Sequence, residues 1–351
     1  MMPSINKIPH STDLKLITVH KTMDALTCPR YYYNRWICNL EPKWLNLAFW
    51  YGSVAGEGAE SLMRGKSWKY AQRMMQKESK RYTDRYQIRE EDKEKMILQR
   101  GVIDAMLRAF VEQPSFQTFK IDDSQSSFAV RLKQSGLLFV GTKDGDGLVE
   151  DKPCMFELKN FKTIPKRDDL RSDLAKNIQV NGYCYASRLS ENKYVEMCQY
   201  MIFRKTSKKM KQGGRLWKTK CRFINSDGEV SEEAIETRRP QTVEQYVGEI
   251  AADIYREPEK FFVFEQVNLV KQRVSEIGFD IEATASDLLA KYQRLGSDVI
   301  DSHNWSRSEA CSNYSGCEFR RLCDDPSRRR LYLRDFQMRE LRYEQEHDEL
   351  V

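Results

Sequence analysis

Residues 137–161 read LLFVGTKDGDGLVEDKPCMFELKNF. The runs 137–143 (LLFVGTK) and 154–159 (CMFELK) are short and apolar or β-branched, as strands are, and Asp144-Gly145-Asp146-Gly147 between them is a turn signal. A third such run, 127–132 (SFAVRL), precedes them across Gln134-Ser135-Gly136. The pattern predicts an antiparallel meander. Side chains alternate along a strand, so Glu157 and Lys159 share one face while Leu158 turns to the other. If the flanking strands pair as a hairpin, Asp144 reaches that same face and two carboxylates converge with an amine.

Helical signals surround this stretch. Segment 21–37 mixes apolar and aromatic residues, a second helix starts near Gly52, and amphipathic stretches lie around 67–82 and 91–112. In the last, Met96, Ile103, Leu107 and Phe110 recur at helical spacing until Pro114 closes it. Beyond the meander come a helix over roughly 168–188, a strand near 195–204, helices at 231–256 and 281–294, and a highly charged tail helix at 326–350. The expected class is α/β, a small mixed sheet flanked by helices, with helical N- and C-terminal elaborations. No linker divides the chain. We expect one domain over 1–351, with a helical part at 20–115, a core at about 120–225, and C-terminal helices with a cysteine cluster at 230–351.

Composition excludes some classes. The longest apolar runs, such as LLFV at 137–140, fall far short of the roughly 18 residues a membrane span needs, and MMPSINKIPHSTDLKL lacks the apolar stretch of a secretory signal. The expectation is a cytoplasmic protein with no membrane partner. Nine cysteines, an odd number, argue against a disulfide framework. Net charge is only +6, but RKTSKKMKQGGRLWKTKCR at 204–222 carries nine Lys or Arg and no acid. Lys205, Lys208, Lys209, Lys211 and Arg215 would follow a phosphate backbone, with Trp217 available to stack on a base. The same run also reads as a solvated hairpin tip around Gly213–Gly214.

Converging carboxylates and an amine suit phosphodiester hydrolysis. Oxygen ligands hold Mg²⁺ or Mn²⁺, which acts as Lewis acid and activates water, while a lysine orients that water or stabilises the transition state. A calcium loop at Asp144 fails, because Leu148 and Met155 stand where further oxygen ligands are needed. No GxxxxGK[ST] is present, so the chain has no P-loop motor.

GTKDG (141–145), FELK (156–159) and Gln179-Val180-Asn181-Gly182-Tyr183 together resemble the RecB-type branch of the PD-(D/E)XK nucleases, in order and spacing. The resemblance implies a restriction-endonuclease-like core in which Asp144 and Glu157 bind metal and Lys159 is the catalytic lysine. Gln179 and Tyr183, one helical turn apart, would position the DNA strand or the lysine. Cys28-Pro29-Arg30-Tyr31 is similar to iron–sulfur members of that branch, among them AddB-type and CRISPR-adaptation nucleases and phage-encoded relatives. There, Cys28 with Cys311, Cys317 and Cys323 would hold a [4Fe–4S] cluster stapling the two ends of the chain. The spacing departs from the commoner pattern, which would place a cysteine at Tyr314, and a zinc site could use the same ligands. A second departure falls in Gly52–Glu60, where the branch carries GxxxHExxE: Gly56 replaces the histidine, leaving Glu57 or Glu60 as a replacement ligand. The implied activity is a DNA nuclease, an exonuclease or one acting on single strands or duplex ends, in recombination, repair or phage DNA metabolism, standing alone or beside a helicase or recombinase. The alternative is a catalytically inactive protein of that fold that binds DNA or a partner.

Overall fold

The strand signals around 127–161 build two sheets, not one meander. The computed structural model describes residues 14–124, 126–161, 163–192, 194–206, 208, 210, 217–224, 230–237, 241–309 and 317–339. Along the chain, β1 (Leu16–Thr18) leads into α1 (Val19–Thr27), whose N-cap Thr18 accepts the Lys21 N–H at 3.1 Å. The next helix, α2 (Pro29–Tyr32), starts on Pro29, whose missing N–H costs nothing there, and runs into a π turn at Tyr33–Ile37. After β2 (Leu40–Pro42) come α3 (Leu47–Met63), α4 (Trp68–Arg85), α5 (Glu90–Val111) and the short α6 (Pro114–Gln117). Then follow β3 (Phe119–Ser124), β4 (Ser127–Arg131), β5 (Leu138–Thr142), β6 (Gly145–Val149), β7 (Lys152–Phe161), α7 (Arg167–Ala175) and α8 (Ile178–Glu191). The remaining elements are β8 (Met197–Arg204), β9 (Trp217–Ile224), β10 (Val230–Thr237), α9 (Val243–Arg256), β11 (Phe262–Asn268), α10 (Lys271–Leu295), α11 (Arg320–Asp324), α12 (Arg329–Tyr332) and β12 (Phe336–Met338).

The architecture is mixed α/β. A five-stranded sheet, ordered β11-β8-β7-β6-β3, is antiparallel except for the parallel β7–β8 pair, joined by the α7–α8 crossover. A second sheet, β1-β5-β4, pairs β5 antiparallel to β4 and parallel to β1. The chain passes from one sheet to the other at Lys143-Asp144, between β5 and β6. This corrects the meander. The turn lies at Glu150-Asp151, both at positive φ (51° and 61°), the conformation a tight hairpin demands. Asp-Gly-Asp-Gly looks like the stronger turn signal, yet Gly145–Val149 pairs on both sides, with β3 and β7.

Alternation then divides the core. Met155 of β7 with Cys198, Tyr200 and Ile202 of β8 belong to a buried cluster with α1, α8 and α10. Phe156 with Met201 and Phe203 belong to another, with α3, α5 and α9. At α3, a Cβ on Gly58 would come within 2.4 Å of Leu107 Cδ1 and 2.6 Å of Met75 Sδ, whereas one on Gly56 meets nothing within 4 Å. Both replacements by alanine gain the same helix propensity, so Gly58→Ala is expected to be less stable than Gly56→Ala by about 1–3 kcal/mol, the cost of overpacking. Urea denaturation of the two variants checks this; equal midpoints would place Gly58 outside a tight helix contact.

Other expectations need correction. The helix over 168–188 is two: the first ends at Ala175 with Lys176 as its C-cap, and Asn177 caps the second, accepting the Val180 N–H at 3.1 Å. The helix over 231–256 begins only at Val243, with a Thr242/Gln245 capping box, while 230–237 is a strand paired with β9. Pro240 sits within the expected helix, where it removes a hydrogen bond and clashes with the preceding turn. The core also extends past 225, taking β11 from 262–268. Within 326–339 the charged tail forms short turns and β12, antiparallel to β2, not one helix; residues 340–350 lie outside the described residues. Among the described residues no helix is long and apolar enough to cross a membrane.

Candidate active site

Asp144 occupies the joint between the two sheets, and its Oδ2 accepts the Leu158 N–H at 2.8 Å. This bond ties it to β7 beside Glu157, although β5 and β7 do not pair. Glu157 lies mid-sheet opposite Tyr200 and is 1% exposed. Its Oε1 is ion-paired with Lys159, while its Oε2 is buried with no hydrogen-bond partner. The Lys159 ammonium also donates to Gln179 Oε1 at 3.0 Å, and Gln179 Nε2 donates to the Tyr183 hydroxyl at 3.0 Å. Glu157, Lys159, Gln179 and Tyr183 thus form one connected chain of side chains, and Asp144 is held next to it by the Leu158 N–H. Asp146, equally acidic in sequence, is taken up elsewhere: it pairs with the buried Lys143 and accepts from Ser126 at 3.1 Å.

Burial is the largest influence on both acids. It raises Asp144 above the usual carboxylate range, against the Leu158 N–H and the Lys159 charge. It pushes Glu157 up to about 7, helped by the neighbouring Asp144 charge and opposed by Lys159.

Asp144, Leu158 and Asn160 line a cleft of about 1150 Å³. Its walls include Gly52, Gly56, Glu57 and Glu60 of α3. Glu60 pairs with Arg64 at 2.6 Å, and the Glu57 carboxyl is raised by burial and by Glu78. Among the described residues no group of three or more His, Cys, Asp or Glu gathers closely enough to enclose a metal ion. Glu57 and Glu60 therefore share the cleft with Asp144 without completing a three-ligand set. His20, which the sequence reading passed over, opens into the same cleft from α1. Its pKa is lowered by the surrounding protein, then by Arg35 and Lys159. One histidine among four, without a motif, carries no signal in sequence.

Residues 30–35 meet the segments around Ser306 and Glu318 next to this cleft. Arg30 N–H donates to Ser306 O at 2.9 Å, the Tyr31 hydroxyl to Glu318 at 3.0 Å, and Arg35 pairs with Glu318 at 3.1 Å. Cys323 is buried, accepting from Asn34 Nδ2 at 3.7 Å, and Cys317 is half-buried. Burial alone would raise the Cys28 thiol, but hydrogen bonds from Ser308 and the Tyr31 and Arg30 N–H groups bring it below the ordinary value. Cys28, Cys317 and Cys323 form no group of three, and Cys311 lies outside the described residues.

In the basic stretch, Lys205 donates to Ala48 O at 3.4 Å and lies 4.2 Å from the centre of the Tyr51 ring. Lys208 is ion-paired with Asp253. Lys209, Lys211 and Arg215 lie outside the described residues, and Trp217 opens β9. β8 pairs with β7 and β11, and β9 with β10, while Gly213–Gly214 lie outside the described residues. No family model and no curated protein matches this chain.

Proposed function

We propose that this chain is a divalent-metal-dependent nuclease of the PD-(D/E)XK type, with a restriction-endonuclease-like core, acting on DNA. The observation that carries the reading is the partnerless Glu157 Oε2, buried beside Asp144. A buried acceptor without a partner costs about 1–3 kcal/mol, and buried charge is retained where it is paired or coordinates a metal. The donor set fits a hard cation: Asp144 and Glu157 would hold Mg²⁺ or Mn²⁺ by oxygen. When bound, that ion would supply Lewis acidity and activate water. Lys159 is restrained on two sides, by Glu157 and by Gln179, so its ammonium is presented in a fixed position next to the acid pair. Tyr183, 4% exposed, anchors Gln179 from below.

The test is cleavage of labelled single- and double-stranded DNA with Mn²⁺ or Mg²⁺. Wild type is expected to cleave, with Asp144→Ala and Lys159→Ala reduced by about a hundredfold or more. No cleavage by wild type with either metal, or equal cleavage by the variants, would overturn the reading. A second reading is a catalytically inactive binding protein of the same fold. Gly56 in place of a histidine favours it. The same experiment separates the two.

A further inference from the structure

Two large aromatic side chains, Trp44 and Phe49, stand open to water, 40% and 61% exposed, on the wall of the cleft that holds Asp144. Burying such rings in a core is the ordinary outcome, so open rings in a concave site call for a partner. Neither ring hangs on a loose segment. Around Trp44, the Leu45 N–H donates to Gln87 O at 2.9 Å, Gln87 N–H to Lys43 O at 2.8 Å, and Lys43 N–H to Asp335 O at 2.8 Å. Phe49 lies in the first turn of α3, which Asn46 caps by accepting the Ala48 N–H at 2.9 Å.

The charge next to the Trp44 ring favours an anionic guest there. Five acids of the same walls are engaged, Glu41 with Arg85, Glu60 with Arg64, Glu78 with Arg81, Asp92 with Lys95 and Glu318 with Arg35, while Glu57 and Asp144 make no ion pair among the described residues. Arg89 is exposed, with its guanidinium 5.5 Å from the centre of the Trp44 ring, and makes no ion pair among the described residues. A flat apolar face beside an open guanidinium matches one guest chemistry, an unpaired base attached to a phosphate.

We infer that Trp44 and Phe49 form a stacking platform for the unpaired bases of single-stranded DNA, with Arg89 contacting its backbone, and that this platform makes the cleft prefer single strands. In a duplex the base faces are covered by their neighbours, so only the backbone contact remains. The inference rests on the nuclease reading for the purpose of the cleft, but binding can be measured without turnover.

Anisotropy of a fluorescein-labelled oligo-dT, alone and annealed to oligo-dA, titrated with the full chain in EDTA, tests it. Trp44→Ala and Phe49→Ala are each expected to weaken single-strand binding about tenfold, the scale of one stacked base, while Trp44→Phe stays near wild type. Duplex affinity should be unchanged in both ring variants, and Arg89→Ala should lower affinity for both forms. Unchanged single-strand affinity in both alanine variants, or equal losses for single strand and duplex, overturns the platform. So does preference for an amphipathic peptide with no measurable oligo-dT binding. Ring-dependent binding without cleavage in Mn²⁺ would retain the platform and discard the nuclease. Cleavage indifferent to both rings would do the reverse.

Discussion

Glu157→Gln is expected to make the metal-free protein more stable than wild type at pH 8, while abolishing cleavage. Burial pushes the Glu157 pKa up to about 7, from 4.5 for a glutamate free in water. Between those values the folded protein holds a proton that the unfolded chain has released, so folding stability falls as pH rises through that window. One unit corresponds to about 1.4 kcal/mol, so wild type should lose roughly 3 kcal/mol between pH 4.5 and 7 through this group alone. Glutamine keeps the shape, accepts from Lys159, and has no charge to bury. Urea denaturation in EDTA at pH 5 and pH 8 should therefore show the variant gaining on wild type as pH rises. A difference between the two that does not change with pH would mean that Glu157 is not held protonated by its surroundings. Adding Mn²⁺ at a hundredfold excess over its Kd should return about 2–3 kcal/mol to wild type and nothing to the variant. On the proposed nuclease reading, stability and catalysis would pull in opposite directions at this residue.

Trp305→Ala is expected to cost about 3–5 kcal/mol, the range for a large aromatic removed from a core. Trp305 is 1% exposed and stacks on Tyr32 with ring centres 5.5 Å apart. It also meets Tyr292 edge-on at 6.3 Å and donates from Nε1 to Val299 O at 3.0 Å. Its carbonyl accepts from Arg30 Nε at 2.8 Å. The residue therefore joins α2 to the C-terminal part of the chain across more than 270 positions. Because α1 carries His20 to the cleft and the π turn that follows α2 carries Arg35, loosening this joint should lower cleavage as well as the urea midpoint. Hydrogen exchange in α2 should rise with it. A loss below about 1 kcal/mol would show that the remaining contacts, among them β2–β12, hold these N- and C-terminal elements together without it.

Much of the site was legible because its rules are local. Glu157 and Lys159 share a face for the reason any i, i+2 pair on a strand does, and Gln179 reaches Tyr183 because i and i+4 meet on a helix. The helical stretches around 67–82 and 91–112 appear as α4 and α5 for the same reason of periodicity. What failed was long-range. Glu150-Asp151 turns the hairpin because β6 finds partners on both edges, which no dipeptide preference reveals. Residues 230–237 carry helix-forming Glu and Ala, yet pair with 217–224, where a partner strand outweighs propensity.

Residue type and spacing by themselves set the α/β class, the shared face of Glu157 and Lys159, and the separation of Gln179 from Tyr183. Each depends on neighbours within a turn or a pleat. Only the tertiary structure decided that Asp144 and not Asp146 meets Glu157, since that choice follows from where the chain crosses between two sheets. It alone buried Glu157 without a partner for Oε2, and brought Trp44, Phe49 and His20 to one cleft with Asp144. Those contacts join positions up to more than a hundred residues apart, and they exist because packed sheets and helices leave one arrangement that fills both cores, which no local period encodes.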